Sequence, residues 1–117
     1  MTDSYKAMAS NIEKFDGTNW ATWSFGIRAA LTLTNSWNLA VGTETRPPAP
    51  EANATAAEVT SRETEQRDWD RHDMQGRSLL VLTVKPSIYQ LIDLAETLAQ
   101  NWTRLSTTYR QRTKHLG

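Results

Sequence analysis

The densest group of titratable side chains is residues 68–73, which read DWDRHD. Asp68 and His72 are four residues apart, so on a helix they share one face in a geometry that can bind a metal ion. A stable metal site needs three or four ligands, and the sequence contains no cysteine and no further clustered histidine. We therefore interpret the run as a solvated, salt-bridged helix face and expect neither a metal nor another cofactor.

Other catalytic groupings are also scarce. A serine or carboxylate-pair mechanism needs a partnered base in a cleft, and the only two histidines, His72 and His115, belong to no obvious catalytic triad. The glycine-rich phosphate loops G-x-x-x-x-G-K-[ST] and G-x-G-x-x-G do not occur. The sequence therefore predicts a protein that is not an enzyme.

Length and charge narrow the class of protein further. The chain has 117 residues, thirteen Lys and Arg against thirteen Asp and Glu, and no cysteine, which indicates one domain without disulfides. A balanced charge argues against a polycationic nucleic-acid clamp, so any RNA contact must be local. The longest apolar run, residues 79–84, is far shorter than a bilayer requires, and residues 1–10 lack a signal-peptide core. We expect a cytoplasmic protein that does not enter the membrane.

The elements predicted to carry these residues are all helical. Residues 1–14 are polar and aperiodic, and we expect a flexible, extended or frayed lead-in there. A turn at residues 15–19 precedes a helix beginning near Trp20, and a short helical turn ends at Gly42. Residues 43–61 contain three prolines and many alanines, which predicts a loop after the second helix.

A charged helix is predicted from about Arg62, and residues 79–84 are either its buried end, which we favour, or a short strand. Asp93 and Glu96 have the spacing of a capping box and are predicted to open the last helix. The fold class is therefore all-α, a small bundle of four or five helices. The folded domain is predicted over residues 15–113, with a tail at 114–117.

Bulky apolar residues at helical spacing predict the core. Trp20, Trp23, Ile27 and Leu31 fall within one arc of the first helix, and later helices repeat the pattern. Aromatic rings bury large areas, so core filling is the simplest explanation for the tryptophans. The predicted core is Trp20, Trp23, Ile27, Leu31, Trp69, Leu80, Trp102, Leu105 and Tyr109.

The first helix also has a second apolar stripe, formed by Phe25, Ala29 and Leu33. Two explanations remain open: another helix covers this side, or the stripe contacts a second copy of the chain. A domain of this size has few inner helices, so we take the stripe as the candidate self-association surface.

The end of the chain is basic, with Arg104, Arg110, Arg112 and Lys114 and no acid after Glu96. Cations near a helix C-terminus complement the helix dipole. The alternative is a small phosphate-contact patch, with an aromatic ring nearby for stacking. These four residues are the candidate RNA contacts.

Residues 15–23, FDGTNWATW, resemble the opening of copia-type LTR-retrotransposon Gag polyproteins, which start with a Phe-x-Gly-x-Asn-aromatic-x-x-Trp signature. The resemblance covers roughly residues 11–109 through several spaced landmarks. The later landmarks, in order, are Leu31 with Trp37, Gly42 before a proline-containing insert, Trp69 with Asp73, and Trp102-x-x-Leu105-x-x-x-Tyr109.

The resemblance implies a Gag-like structural subunit whose copies assemble into a cytoplasmic virus-like particle enclosing the element's RNA. It covers only the N-terminal part of the capsid region, so RNA is expected to bind weakly here or through downstream regions. The alternative, from a different functional class, is a domesticated host adaptor that binds a peptide or helix between its own helices and no longer assembles.

Overall fold

The computed structural model describes residues 7–116, with side chains described for residues 7–110. In this part of the chain a helical turn at residues 7–10 is followed by helices with no sheet between them, so the predicted all-α fold class is confirmed. None of these helices is both long and apolar enough to cross a bilayer. The helices are α1 (Trp20–Leu33), α2 (Trp37–Ala40), α3 (Ala56–Leu82), a 3₁₀ helix (Pro86–Leu91) and α4 (Leu98–Leu116).

The lead-in is not extended throughout. Residues 7–10 are helical, and Met8, Ala9 and Ile12 pack against the core. The Ile12 side chain lies beside Gly26 of α1. The polar composition of residues 1–14 hides these few apolar contacts, so the expectation of an extended or frayed segment is wrong for residues 7–10.

Polar side chains order the turn before α1. The Asp16 carboxylate accepts hydrogen bonds from the Thr18 amide (2.8 Å) and hydroxyl (2.6 Å), which hold the pKa of Asp16 below its ordinary value. Asn19 precedes the helix and accepts from the Asp16 amide through its side chain. The chain therefore enters α1 at a defined angle, as the predicted turn requires.

Helix α3 begins earlier than predicted. Thr55 and Glu58 form a capping box, with 3.0 and 3.1 Å hydrogen bonds between the side chain of each residue and the backbone amide of the other. The same contacts lower the pKa of Glu58. Residues 56–61 are therefore helical, and the prediction of a loop up to residue 61 is wrong because a local cap outweighs the nearby prolines.

The remaining loop, residues 43–55, lies along α3 and is called the proline segment. The Thr43 and Glu44 amides donate to the Asn38 carbonyl of α2, and side chains of α3 contact the rest of the segment, so its path is determined although it lacks regular structure. The contacts with α3 are Arg62 to the Pro48 carbonyl (2.7 Å), Gln66 to the Pro47 carbonyl (3.0 Å), Trp69 Nε1 to the Glu44 carbonyl (3.1 Å), and a bidentate pair between Arg46 and Asp70 (2.9 and 3.0 Å).

Five rings from α1, α4 and the preceding turn form the aromatic cluster: Phe15, Trp20, Trp23, Trp102 and Tyr109. Phe15 stacks on Trp23 at 4.9 Å between ring centroids and meets the edge of Tyr109 at 4.7 Å. Trp20 lies 5.6 Å from Trp102. The cluster therefore joins the first and last helices around Phe15, a residue that helical periodicity does not assign to the core.

Eight of the nine predicted core residues are buried, namely Trp20, Trp23, Ile27, Leu31, Leu80, Trp102, Leu105 and Tyr109. Trp69 is the exception, because it is half-buried at the edge of the core beneath the proline segment. No residue of α3 before Asp73 is buried, and Trp69 is the first hydrophobic residue of the helix that packs against the core. Placing Trp69 in the core is therefore wrong.

A backbone bridge resolves the structure of residues 79–84. Helix α3 continues to Leu82, after which Phe15 and Val84 form an isolated parallel bridge. The Phe15 amide donates to the Thr83 carbonyl at 2.9 Å, and the Lys85 amide donates to the Phe15 carbonyl at 2.8 Å. The favoured helical interpretation is therefore correct up to Leu82.

The last helix begins later than predicted. Its capping residues are Thr97 and Gln100, whose side chains bond each other's backbone amides at 3.2 and 2.9 Å. Asp93 instead accepts from the amide of Ala95, two residues on. The proposed Asp93–Glu96 capping box is therefore wrong, and α4 starts at Leu98.

Candidate functional site

The outer stripe of α1, formed by Phe25, Ala29 and Leu33, lies on the surface of the chain. Phe25 is 81% exposed and Leu33 is 74% exposed, and Ala29 between them is also exposed. On a helical wheel the three residues span about 80° and face away from the buried residues Trp23 and Ile27. Of the two open explanations, cover by another helix does not apply within the described residues.

The shape of the outer stripe suits contact with another helix. A small residue separates two bulky ones, and each is one helical turn from the next, so the stripe is about 12 Å long. Small residues allow helix backbones to approach closely, while the flanking side chains pack around the point of contact. Single exposed apolar residues are common on protein surfaces, but here two large ones are aligned.

A shallow groove lies between α1 and α4 and shares Phe25 with the outer stripe. Arg28 stands over the ring of Trp37, 4.9 Å from its centroid, and this cation–π contact holds the guanidinium at the groove. Arg110 lines the α4 side of the groove. The complete lining is Trp20, Ala21, Ser24, Phe25, Arg28, Trp37, Trp102 and Arg110.

The predicted RNA-contact residues differ in their surroundings. Arg104 donates to the Leu91 carbonyl at 3.0 Å and pairs with Glu96, so its guanidinium is already used in holding the segment before α4. Arg110 is exposed at the groove. Arg112 and Lys114 lie in α4, but their side chains fall outside the described residues. The structure therefore separates Arg104 from Arg110.

The titratable run at residues 68–73 has structural contacts throughout. Arg46 holds the pKa of Asp70 below its ordinary value through the bidentate pair. Asp73 is buried, accepts from the Leu98 amide at 2.9 Å and pairs with Arg77 at 2.9 Å. No group of three or more His, Cys, Asp or Glu within residues 7–110 is arranged to hold a metal ion.

Sequence reasoning identified the outer stripe but not the groove beside it. Two sequence features pointed to the groove: Arg28 is the only charged residue in α1, and Trp37 follows the break after that helix. Their contact depends on the path of the chain through Asn35, whose φ is 60°. That turn is not visible in the periodicity of the flanking helices.

Comparisons of the chain with protein-family models, with curated proteins and with solved structures find no match. Its function must therefore be inferred from its own residues and surface.

Proposed function

We propose that this protein is a non-enzymatic, Gag-like structural subunit of a copia-type retrotransposon, which associates with copies of itself through the outer stripe of α1. The single observation that carries the proposal is the exposure of Phe25 and Leu33 on the side of α1 opposite the core. The spaced landmarks between residues 15 and 109, which resemble copia-type Gag, supply the biological setting. In this setting the subunit acts in the cytoplasm and its particle encloses the element's RNA.

The outer stripe supports a symmetric contact. Two copies of α1 crossing antiparallel bring Ala29 opposite Ala29 and Phe25 of each copy opposite Leu33 of the other. The arrangement buries the bulky side chains of both copies and is self-complementary, as a two-fold interface must be. Arg28 does not oppose this contact, because its guanidinium is turned onto Trp37.

The size of the stripe sets the strength of the contact. A stripe about 12 Å long on one face of one helix buries less area than the roughly 800 Å² per partner of a stable dimer. A pair of isolated subunits is therefore expected to dissociate readily, with an affinity in the micromolar range or weaker. In a shell, many such contacts act together, so weak individual contacts are sufficient.

Sedimentation equilibrium across a concentration series tests the proposal with Leu33→Ser. Burial of a leucine side chain contributes about 1.5–3 kcal/mol, and 74% of that, counted in both copies, corresponds to roughly 40- to 1,500-fold weaker dimerisation. The matched control is Leu94→Ser, because Leu94 is 54% exposed but lies outside α1. Equal effects of the two variants, or a wild-type chain that stays monomeric at millimolar concentration, would refute the proposal.

A second candidate function is the domesticated adaptor, and the groove between α1 and α4 is the observation that favours it. Its aromatic and apolar lining is of the kind that receives a partner helix. An adaptor of this type is monomeric, so the same sedimentation series separates the two functions.

A further inference from the structure

A shell of the kind proposed above requires more than one kind of contact between copies of the chain, so this inference rests on the proposed function. A two-fold contact through the outer stripe joins two copies and then has no free site left. Extended assembly needs a second contact between two different surfaces of the chain. The distribution of charge indicates which surfaces these are.

The groove is positively charged. Arg28 and Arg110 line it, and neither forms an ion pair with a carboxylate within the described residues. The helices on its two sides, α1 and α4, contain no aspartate or glutamate. The two guanidinium groups therefore have no opposing charge from their own elements.

The opposite charge is concentrated at the start of α3 and the turn before it, residues 51–65, here called the acidic arm. It contains four glutamates and one arginine. Glu63 is exposed and has no partner within the described residues, and Glu65, whose side chain is 57% exposed, makes only a 3.6 Å contact with Arg62.

The acidic arm is accessible to a second molecule. Trp69 is the first hydrophobic residue of α3 that packs against the core, and the thirteen residues of the helix before it correspond to about 20 Å. The proline segment lies along this part of the helix, where its contacts with Arg62 and Gln66 hold it in place. The proline segment therefore holds the acidic arm in place, and the outer carboxylates of the arm face solvent.

We propose that the groove between α1 and α4 binds the acidic arm of a second copy of this chain, with Arg28 and Arg110 facing the side of the arm that carries the unpartnered Glu63. Within one copy the two charged surfaces do not neutralise each other, whereas two copies arranged head to tail bring them together. The contact is heterologous, so each copy retains a free groove and a free arm, and assembly continues beyond a pair.

Single-stranded RNA is the competing occupant of a groove with arginines and aromatic rings. Base binding of this kind depends on an accessible ring face. Trp20 and Trp102 are only 7% and 9% exposed and pack against each other in the aromatic cluster, so they present little more than their edges. Arg28 already lies over the Trp37 ring, which leaves Phe25 as the exposed ring of the groove lining. The complementary acidic surface on the same chain favours a second copy.

The test uses charge reversal on each surface. The arm variant carries Glu63→Arg and Glu65→Arg, and the groove variant carries Arg110→Glu. Wild-type chains are expected to form species larger than a dimer at 50 mM salt and to lose them at 500 mM, because the contact is between exposed charges. Each variant alone is expected to associate about tenfold more weakly in sedimentation velocity experiments.

An equimolar mixture of the two variants is the decisive sample. The unchanged acidic arm of the groove variant matches the unchanged groove of the arm variant, and the reversed arm meets a groove in which Arg110→Glu has left Arg28 as the only arginine. Large species are therefore expected to return in the mixture. Charge-matched controls are Glu13→Arg with Glu44→Arg for the arm, and Lys14→Glu for the groove, and both are expected to assemble as the wild type does.

The outcomes separate this inference from the proposed function. If Leu33→Ser abolishes dimers while charge reversal and salt change nothing, the arm–groove contact is wrong and the outer-stripe contact stands. If the outer stripe proves inactive, the variant mixture still reports the arm–groove contact. Binding of a labelled single-stranded RNA that Arg110→Glu abolishes, with self-association unchanged, overturns the proposal in favour of RNA.

Discussion

Gly76 is the position at which one added methyl group has the most predictable cost. It lies in α3 against Leu98, the first residue of α4, and a Cβ atom at this position lies 2.3 Å from Leu98 Cδ2 and 3.2 Å from its Cγ. Carbon atoms pack at about 3.5–4.0 Å, so the Leu98 side chain must move by more than 1 Å. Leu98 is fully buried and its amide is bonded to Asp73, which restricts that movement.

The expected cost of Gly76→Ala follows from two opposing contributions. Alanine stabilises a helix interior by about 1 kcal/mol relative to glycine. Overpacking a core typically costs about 1–3 kcal/mol. The net change is a destabilisation of up to about 2 kcal/mol, which urea unfolding followed by tryptophan fluorescence resolves.

Gly26→Ala is the matched control. Gly26 is also inside a helix, but a Cβ atom there lies 3.4 Å from the nearest atom, Ile12 Cγ2, which is an ordinary contact. The same substitution is therefore expected to stabilise the protein by up to about 1 kcal/mol.

A double variant tests the cause directly. Truncation of Leu98 to alanine removes the clash, so Gly76→Ala with Leu98→Ala is expected to cost at least about 1 kcal/mol less than the sum of the single changes. Additive effects, or a Gly76→Ala variant as stable as Gly26→Ala, would show that α4 does not pack against α3 at this position.

Three further predictions concern hydrogen bonds and charge. The buried indole N–H of Trp23 donates to the Thr83 hydroxyl at 3.1 Å, and Thr83→Val removes this acceptor. The variant is expected to lower the free energy of unfolding in urea by about 1–3 kcal/mol, whereas Thr83→Ser keeps the hydrogen bond. Because the pKa of Glu58 is lowered in the folded state, its contribution to stability is present above its unfolded pKa and is lost as the pH falls through the folded value. Thermal unfolding between about pH 5 and pH 3 should therefore show a smaller decline for Glu58→Gln than for the wild type. Asp70→Asn weakens the pair with Arg46 and is expected to make limited proteolysis of the proline segment about two- to fivefold faster, whereas Asp68→Asn, which affects only a contact within α3, leaves it unchanged.

The predictability of each helix depends on how local its determinants are. Helix α1 was predicted because its apolar stripe and the polar turn before it lie within a few residues of each other. The start of α4 was not predicted correctly, because two capping patterns occur close together, at Asp93 and at Thr97. The choice depends on distant contacts: Glu96 pairs with Arg104, and Asn101 bonds the backbone at Asp93.

The same reasoning applies to the core and the candidate site. Phe15 is central to the aromatic cluster because the backbone at this residue pairs with residues 83–85, nearly seventy positions along the chain. No local sequence pattern predicts that Phe15 pairs with residues 83–85. Periodicity identified both apolar faces of α1, but only the arrangement of the other helices determines that Phe25 and Leu33 are exposed.

The bridge between Phe15 and Val84 has a consequence for folding during translation. The pairing partner of Phe15 is synthesised about 3 to 14 s after it, at the usual rate of about 5–20 residues per second. Trp102 and Tyr109 are synthesised later still, so the indole rings of α1 stay exposed on the nascent chain until α4 is available to cover them. Nascent chains on neighbouring ribosomes of one messenger RNA therefore expose uncovered apolar surfaces to each other. Slow synthesis after residue 84 favours aggregation of these nascent chains over their folding.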